Sequence, residues 1–159
     1  MFEQLFKSIG LPNFGRHDHA RRTMDYKTIQ NLFIKNFIPK SQKERSEYLL
    51  NDSKKRGKFA DRLNHQWDKV LDMRFISKIP SGTNDFIFTK QELKIKDNEL
   101  CFVISNYDDI DGQIIEFKEA FEKVYGRGFG SLIINCSADK LYLETELVQG
   151  KQNRFIGKR

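Results

Sequence analysis

Of its 159 residues only two are cysteine, three proline, three histidine and one tryptophan, and each scarcity removes a class of protein. Cys101 and Cys136 stand inside apolar runs, without CxxC or Cys/His spacing. A disulfide framework and a zinc cage are therefore not expected, and the two thiols read as small core residues of a reducing, cytoplasmic compartment. No run of about 18 apolar residues occurs, which argues against a membrane helix. The opening MFEQLFKSIG lacks the basic, apolar, small-residue order of a secretory signal, so export by that route is not expected. Internal repeats and low-complexity tracts are also missing.

What the chain does have is aromatic mass and charge. Fourteen Phe and five Tyr, with 38% hydrophobic residues overall, can bury enough surface to offset chain entropy. The length suits one domain over residues 1–159. Charge is uneven. Residues 1–80 hold 17 basic and 9 acidic side chains, residues 81–150 hold 7 and 13, and the tail KQNRFIGKR (151–159) adds 4 basic and none acidic. The chain is an electrostatic dipole with a basic tail.

Helical periods fill the first half. Phe2, Leu5, Phe6 and Ile9 form a stripe that Gly10 and Pro12 end, and Leu11 to Ala20 read as a loop. Tyr26, Ile29, Phe33 and Phe37 repeat at three or four until Pro39. Ser41 with Glu44 predicts a capping box for a short third helix. Phe59, Leu63, Trp67, Val70 and Leu71 mark a longer one, over about 53–74. Near Pro80 the pattern turns to strands: FIF at 86–88, alternating ELKIK at 92–96, a turn at Asp97-Asn98, and the apolar LCFVIS at 100–105 as a doubly covered central strand. Ile114, Phe117, Phe121 and Val124 predict a helix closed by Gly126. SLIINC (131–136) and KLYLETEL (140–147) complete the pattern, the latter with Tyr142, Glu144 and Glu146 on a solvated face. The expected class is α+β: N-terminal helices packed on a mixed or antiparallel sheet of about five strands, with one further helix.

Motifs with chemistry are few. Arg127-Gly128-Phe129-Gly130 matches the opening of the RNA-recognition signature, yet Ser131 and Ile134 stand where stacking aromatics are needed, so a glycine-rich connection with positive φ at Gly126 and Gly128 is the expected reading. Asp85, Glu92 and Lys94 have the loose shape of a metal-dependent nuclease triplet, but the polar face of a strand explains them. Asp109-x-Asp111-Gly112 lacks the ligand spacing of a calcium loop, and the carboxylates suit a helix start. His17, His19 and His65 have no fourth ligand spaced with them. No cofactor, metal or catalytic residue is assigned.

The expected function is a small cytoplasmic module that binds another protein, of the kind that neutralises a cognate bacterial toxin, because separated charge patches without a catalytic set favour specific recognition. Asp108, Asp109, Asp111, Tyr142, Glu144 and Glu146 are its candidate contacts. The alternative is nucleic-acid binding by the basic helix residues Lys54, Lys55, Arg56, Lys58 and Arg62, able to track phosphates.

Overall fold

The computed structural model describes residues 25–146 and 153–159. The expected helix at Phe2 to Ile9 and the loop bearing His17 and His19 lie outside the described residues. Helix α1 (Tyr26–Phe37) follows the predicted stripe, with Asp25 Oδ1 accepting the Lys27 N–H at its start. Helix α2 (Lys43–Leu50) comes after a single 3-10 turn at Lys40–Gln42. The expected capping box does not form: Ser41 is exposed within that turn, and Gln42 takes the cap position without a side-chain hydrogen bond. Helix α3 (Ser53–Val70) is capped by Asp52, bends at Gln66, whose φ and ψ are −139° and 27°, and ends four residues earlier than its apolar period suggests.

Strand β1 (Ile76–Lys78) leads to α4 (Asp85–Leu93), where two strands are expected from sequence. Asn84 decides the difference, because its side chain accepts the Ile87 N–H at 3.0 Å and so starts a helix from the turn sequence SGTND. Lys94, left-handed at φ 51°, ends it. Then follow β2 (Leu100–Ser105), β3 (Ile114–Glu116), α5 (Phe117–Val124), β4 (Ser131–Asn135), β5 (Lys140–Glu144) and β6 (Arg154–Lys158). The fold is α+β, with six strands in one antiparallel sheet of order β1-β6-β5-β4-β2-β3.

Both faces of this sheet are covered. On one side Phe102, Ile104, Leu132, Ile134, Leu141, Leu143 and Phe155 meet α1, α2 and α3 through Phe33, Phe37, Leu50, Phe59 and Leu63. Trp67 of α3 lies on Phe155 of β6 with ring centroids 4.1 Å apart. On the other side Val103, Ile133, Tyr142 and Ile156 meet α5 through Phe117, Ala120, Phe121 and Val124. That second layer overturns one expectation. Tyr142 and Glu144 are buried rather than solvated, since α5 covers their face. The basic tail is part of the sheet, with Arg154–Lys158 as the strand that joins β1 to β5. Among the described residues, no helix is long and apolar enough to cross a membrane.

Candidate functional site

One end of the sheet gathers most of the polar side chains of interest. There the last residue of β2, Ser105, faces the first of β4, Ser131, with their hydroxyl oxygens 2.7 Å apart. Helix α3 crosses against this end closely enough that Gly130 has no room for a side chain: a Cβ there would collide with the Ala60 carbonyl oxygen and lie 3.0 Å from Asn64 Oδ1. Three turns of α3 therefore border the two loops that leave β2 and enter β4. Between them lies a cleft of about 450 Å³, lined by Gly57, Asp61, Asn64, His65, Asn106, Tyr107, Phe129 and Glu146.

The acidic loop at 108–111 is tied down at two points. Asp111 Oδ1 accepts the Ser105 N–H at 3.0 Å, and its Oδ2 meets Arg56 Nε at 2.8 Å in a largely buried pair. Gly112, at φ +79°, leaves space for that arginine, since a Cβ would lie 2.5 Å from its Nη2. Asp109 receives both Arg127 terminal nitrogens at 3.0 Å. The same guanidinium lies 4.6 Å over the Tyr107 ring, whose hydroxyl donates to the Arg127 carbonyl. Arg127 holds the Asp109 carboxyl below the usual aspartate range, while burial pushes the Tyr107 hydroxyl up.

The second loop is held from beneath. Glu144, with no exposed surface, accepts the Gly126 and Gly128 N–H groups at 3.1 and 3.0 Å and the Tyr142 hydroxyl at 3.1 Å. Both glycines have positive φ, as their place after α5 predicts, at 80° and 77°. This leaves Phe129 49% exposed and edge-on to Tyr107.

The predicted contact residues thus separate. Asp108 and Asp109 are exposed beside the cleft and Glu146 lines it, 3.2 Å from His65 Nδ1. Tyr142 and Glu144 are buried beneath the α5 layer, and Asp111, its side chain 14% exposed, is engaged by Arg56 and the Ser105 N–H. The basic set divides likewise. Lys54 and Lys58 are exposed, and Lys55 pairs with Asp52 and lies over the Tyr48 ring at 4.0 Å. Arg56 is buried on Asp111, and Arg62 donates to Gln42. Of the cleft residues, Asp61, Asn64 and Asn106 carry no signal in the sequence, and Phe129 is read there only as part of a glycine-rich connection. Phe129 alone had a signal, an aromatic between two glycines.

The nuclease triplet loses its strand: Glu92 is on α4, Lys94 is its left-handed cap, and buried Asp85 pairs with Arg154. Among the described residues, no group of three or more His, Cys, Asp or Glu is placed to hold a metal ion. Cys101 and Cys136 are unpaired, and burial raises both thiols above their ordinary range. No family model, no curated protein and no solved structure matches the chain.

Proposed function

We propose that this chain is a small protein-binding module whose contact face is the cleft between α3 and the loops at 106–113 and 126–130, and that it acts as an inhibitor of the immunity type, neutralising a cognate bacterial toxin in the cytoplasm. The observation that carries this is Phe129, half exposed on a loop that buried Glu144 holds by two backbone N–H groups. A rigid aromatic anchor loses little entropy when covered, the property that concentrates binding energy in a few residues. Asp61 and Glu146 line the same cleft, and Asp108 is exposed on the neighbouring loop, acidic groups that favour a basic partner and speed its encounter. The net charge of the whole chain is +6, so attraction to a basic toxin depends on this face and not on the total.

Co-expression with the product of an adjacent toxin-like gene tests the proposal. Wild-type protein is expected to restore growth and to form a complex that survives about 0.5 M salt, where exposed charge pairs are screened. Phe129→Ser is expected to lose both. Growth arrest with wild-type protein and no complex would overturn the proposal.

Nucleic-acid binding by α3 keeps Lys54 and Lys58 but not Arg56, whose guanidinium is committed to Asp111. It would require binding that falls steeply with salt and disappears in Lys54→Gln/Lys58→Gln.

A further inference from the structure

We propose that the exposed flank shared by α2 and α3 binds single-stranded nucleic acid, with a base stacked on Tyr48 and phosphates held by Arg45, Lys54 and Lys58. This rests on the second reading above, nucleic-acid binding by α3, and not on the cleft.

Helix α3 turns different residues to its two flanks. Gly57, Asp61, Asn64 and His65 line the cleft. At 3.6 residues per turn, Lys55, Lys58 and Arg62 fall on the flank toward α2. Two contacts fix that neighbourhood: Lys55 Nζ lies 4.0 Å from the centre of the Tyr48 ring, and Arg62 donates to Gln42 Oε1 at 2.8 Å. Burial and the nearby Arg45 charge together hold the Arg62 guanidinium below its ordinary range. Arg45, Lys54 and Lys58 are exposed around it.

Like charges therefore meet at close spacing. Lys54 and Lys58 stand four residues apart, Lys55 and Lys58 three, and Lys58 and Arg62 four, arrangements that destabilise a helix. The fold does little to offset them. Among the described residues, Asp52 is the one carboxylate paired with any of these cations, through Lys55. Asp61 is turned to Asn106 on the cleft side, and the exposed Glu44 and Glu47 of α2 pair with none of them. A polyanion laid along this flank supplies the missing charge.

Charge alone does not select nucleic acid; Tyr48 does. Its ring is 62% exposed, more than any other large hydrophobic side chain among the described residues. Every base has a π-face that can stack on such a ring, and single-strand sites combine stacking rings with cations that track the backbone. A duplex keeps its bases paired and can use only the charge. Two cations of the basic run take no direct part: Arg56 is committed to Asp111, and Arg62, with Nε and Nη1 buried, contributes charge without contact.

The test is fluorescence anisotropy of the full chain with a labelled oligothymidine strand of about twelve nucleotides, within the range of single-strand sites. At about 50 mM salt it is expected to bind with micromolar Kd, and log K to fall against log salt with a slope of about −2, for three phosphates neutralised. Tyr48→Ala should weaken binding about tenfold and leave that slope unchanged. Arg45→Gln/Lys58→Gln should reduce the slope by about 1.4. All three side chains are exposed, so an unperturbed amide spectrum is expected to report an intact fold in each variant. An abasic strand of the same length is expected to bind about tenfold more weakly than oligothymidine and to be indifferent to Tyr48→Ala.

Absence of saturable binding, equal binding of the abasic strand, an affinity unchanged in Tyr48→Ala, or binding to phosphatidylserine vesicles alone would overturn the inference. A strand that binds through Lys54 and Lys58 but ignores Tyr48 leaves nucleic-acid binding by α3 standing and removes the single-strand site. Phe129→Ser, in the cleft, is expected to bind the strand as wild type does, which keeps this outcome apart from that of the inhibitor proposal; loss of binding in that variant would move the site to the cleft and overturn the inference.

Discussion

Glu144 Oε1 accepts the Gly128 N–H at 3.0 Å from inside the sheet, so a residue without exposed surface sets the position of the loop that carries Phe129. A second acceptor oxygen does the same for Gly126. Removing the charge should be felt in both stability and binding. Glu144→Gln is expected to cost about 1.5–3 kcal/mol, the range for hydrogen bonds to a charged group, because one oxygen is replaced by an NH₂ that cannot accept. Urea unfolding measures this, and an unchanged midpoint would refute the anchoring role.

Arg56 and Asp111 make a second buried link, between α3 and the acidic loop, with side chains only 9% and 14% exposed. Breaking it from one side leaves an uncompensated charge, so Asp111→Ala is expected to cost about 3–5 kcal/mol, and Arg56→Met in the same background to recover much of that loss. A double-mutant cycle by chemical denaturation checks the coupling. Additive losses would mean that the two residues act separately.

Gly130 and Gly57 predict opposite outcomes for the same substitution. A methyl group at Gly130 meets the Ala60 backbone carbonyl, which cannot move aside, whereas one at Gly57 meets nothing within 4 Å. Gly130→Ala is expected to destabilise by about 3 kcal/mol, at the upper end of overpacking. Gly57→Ala, inside α3, is expected to stabilise by about 0.5–1 kcal/mol through helix propensity and a less free unfolded chain. Thermal unfolding of the two variants should move in opposite directions.

These contacts show why part of the molecule was legible in the sequence and part was not. The stripe of Tyr26, Ile29, Phe33 and Phe37 and the Phe117, Phe121 and Val124 part of the second stripe each commit one helical face to one layer, but Ile114, expected to open the second helix, belongs to the short strand β3 that pairs with β2. LCFVIS likewise reads as the doubly covered strand that it is. FIF and ELKIK mislead because α4 is short and weakly amphipathic, and the deciding signal is one hydrogen bond from Asn84. Tyr142 and Glu144 alternate with leucines as solvated residues would. Here the polar face is covered by α5, and its polar atoms satisfy one another and two glycine N–H groups. The cleft depends on α3 meeting the β2 and β4 ends, residues separated by tens of positions, which no local period encodes.

Thiol chemistry offers a check on the interior. Cys101 is fully buried and Cys136 half-buried, on and just beyond adjacent strands, and burial raises both above the ordinary thiol range. The thiolate is the reacting species, so a disulfide reagent at pH 8 should label the native protein slowly and the urea-unfolded protein at both cysteines quickly. Rapid native labelling of Cys101 would contradict the β2 packing.

Asp109 gives the clearest pH dependence. Its carboxyl lies below the ordinary aspartate value of about 4, chiefly because it accepts hydrogen bonds from Arg127. A group whose folded value is lowered stabilises the fold above its unfolded value, and that contribution is lost as pH falls through the folded one. Acidification below about pH 4 should thus release the loop bridge, and with it the guanidinium that lies over Tyr107. A carboxyl-carbon NMR titration is expected to place the Asp109 midpoint below that of an unstructured aspartate. Arg127→Gln should move it back up and broaden the Tyr107 and Phe129 ring signals as the loop loses its clamp. A midpoint at the ordinary value in the wild-type chain, or one that Arg127→Gln does not raise, would show that the bridge is not populated in solution.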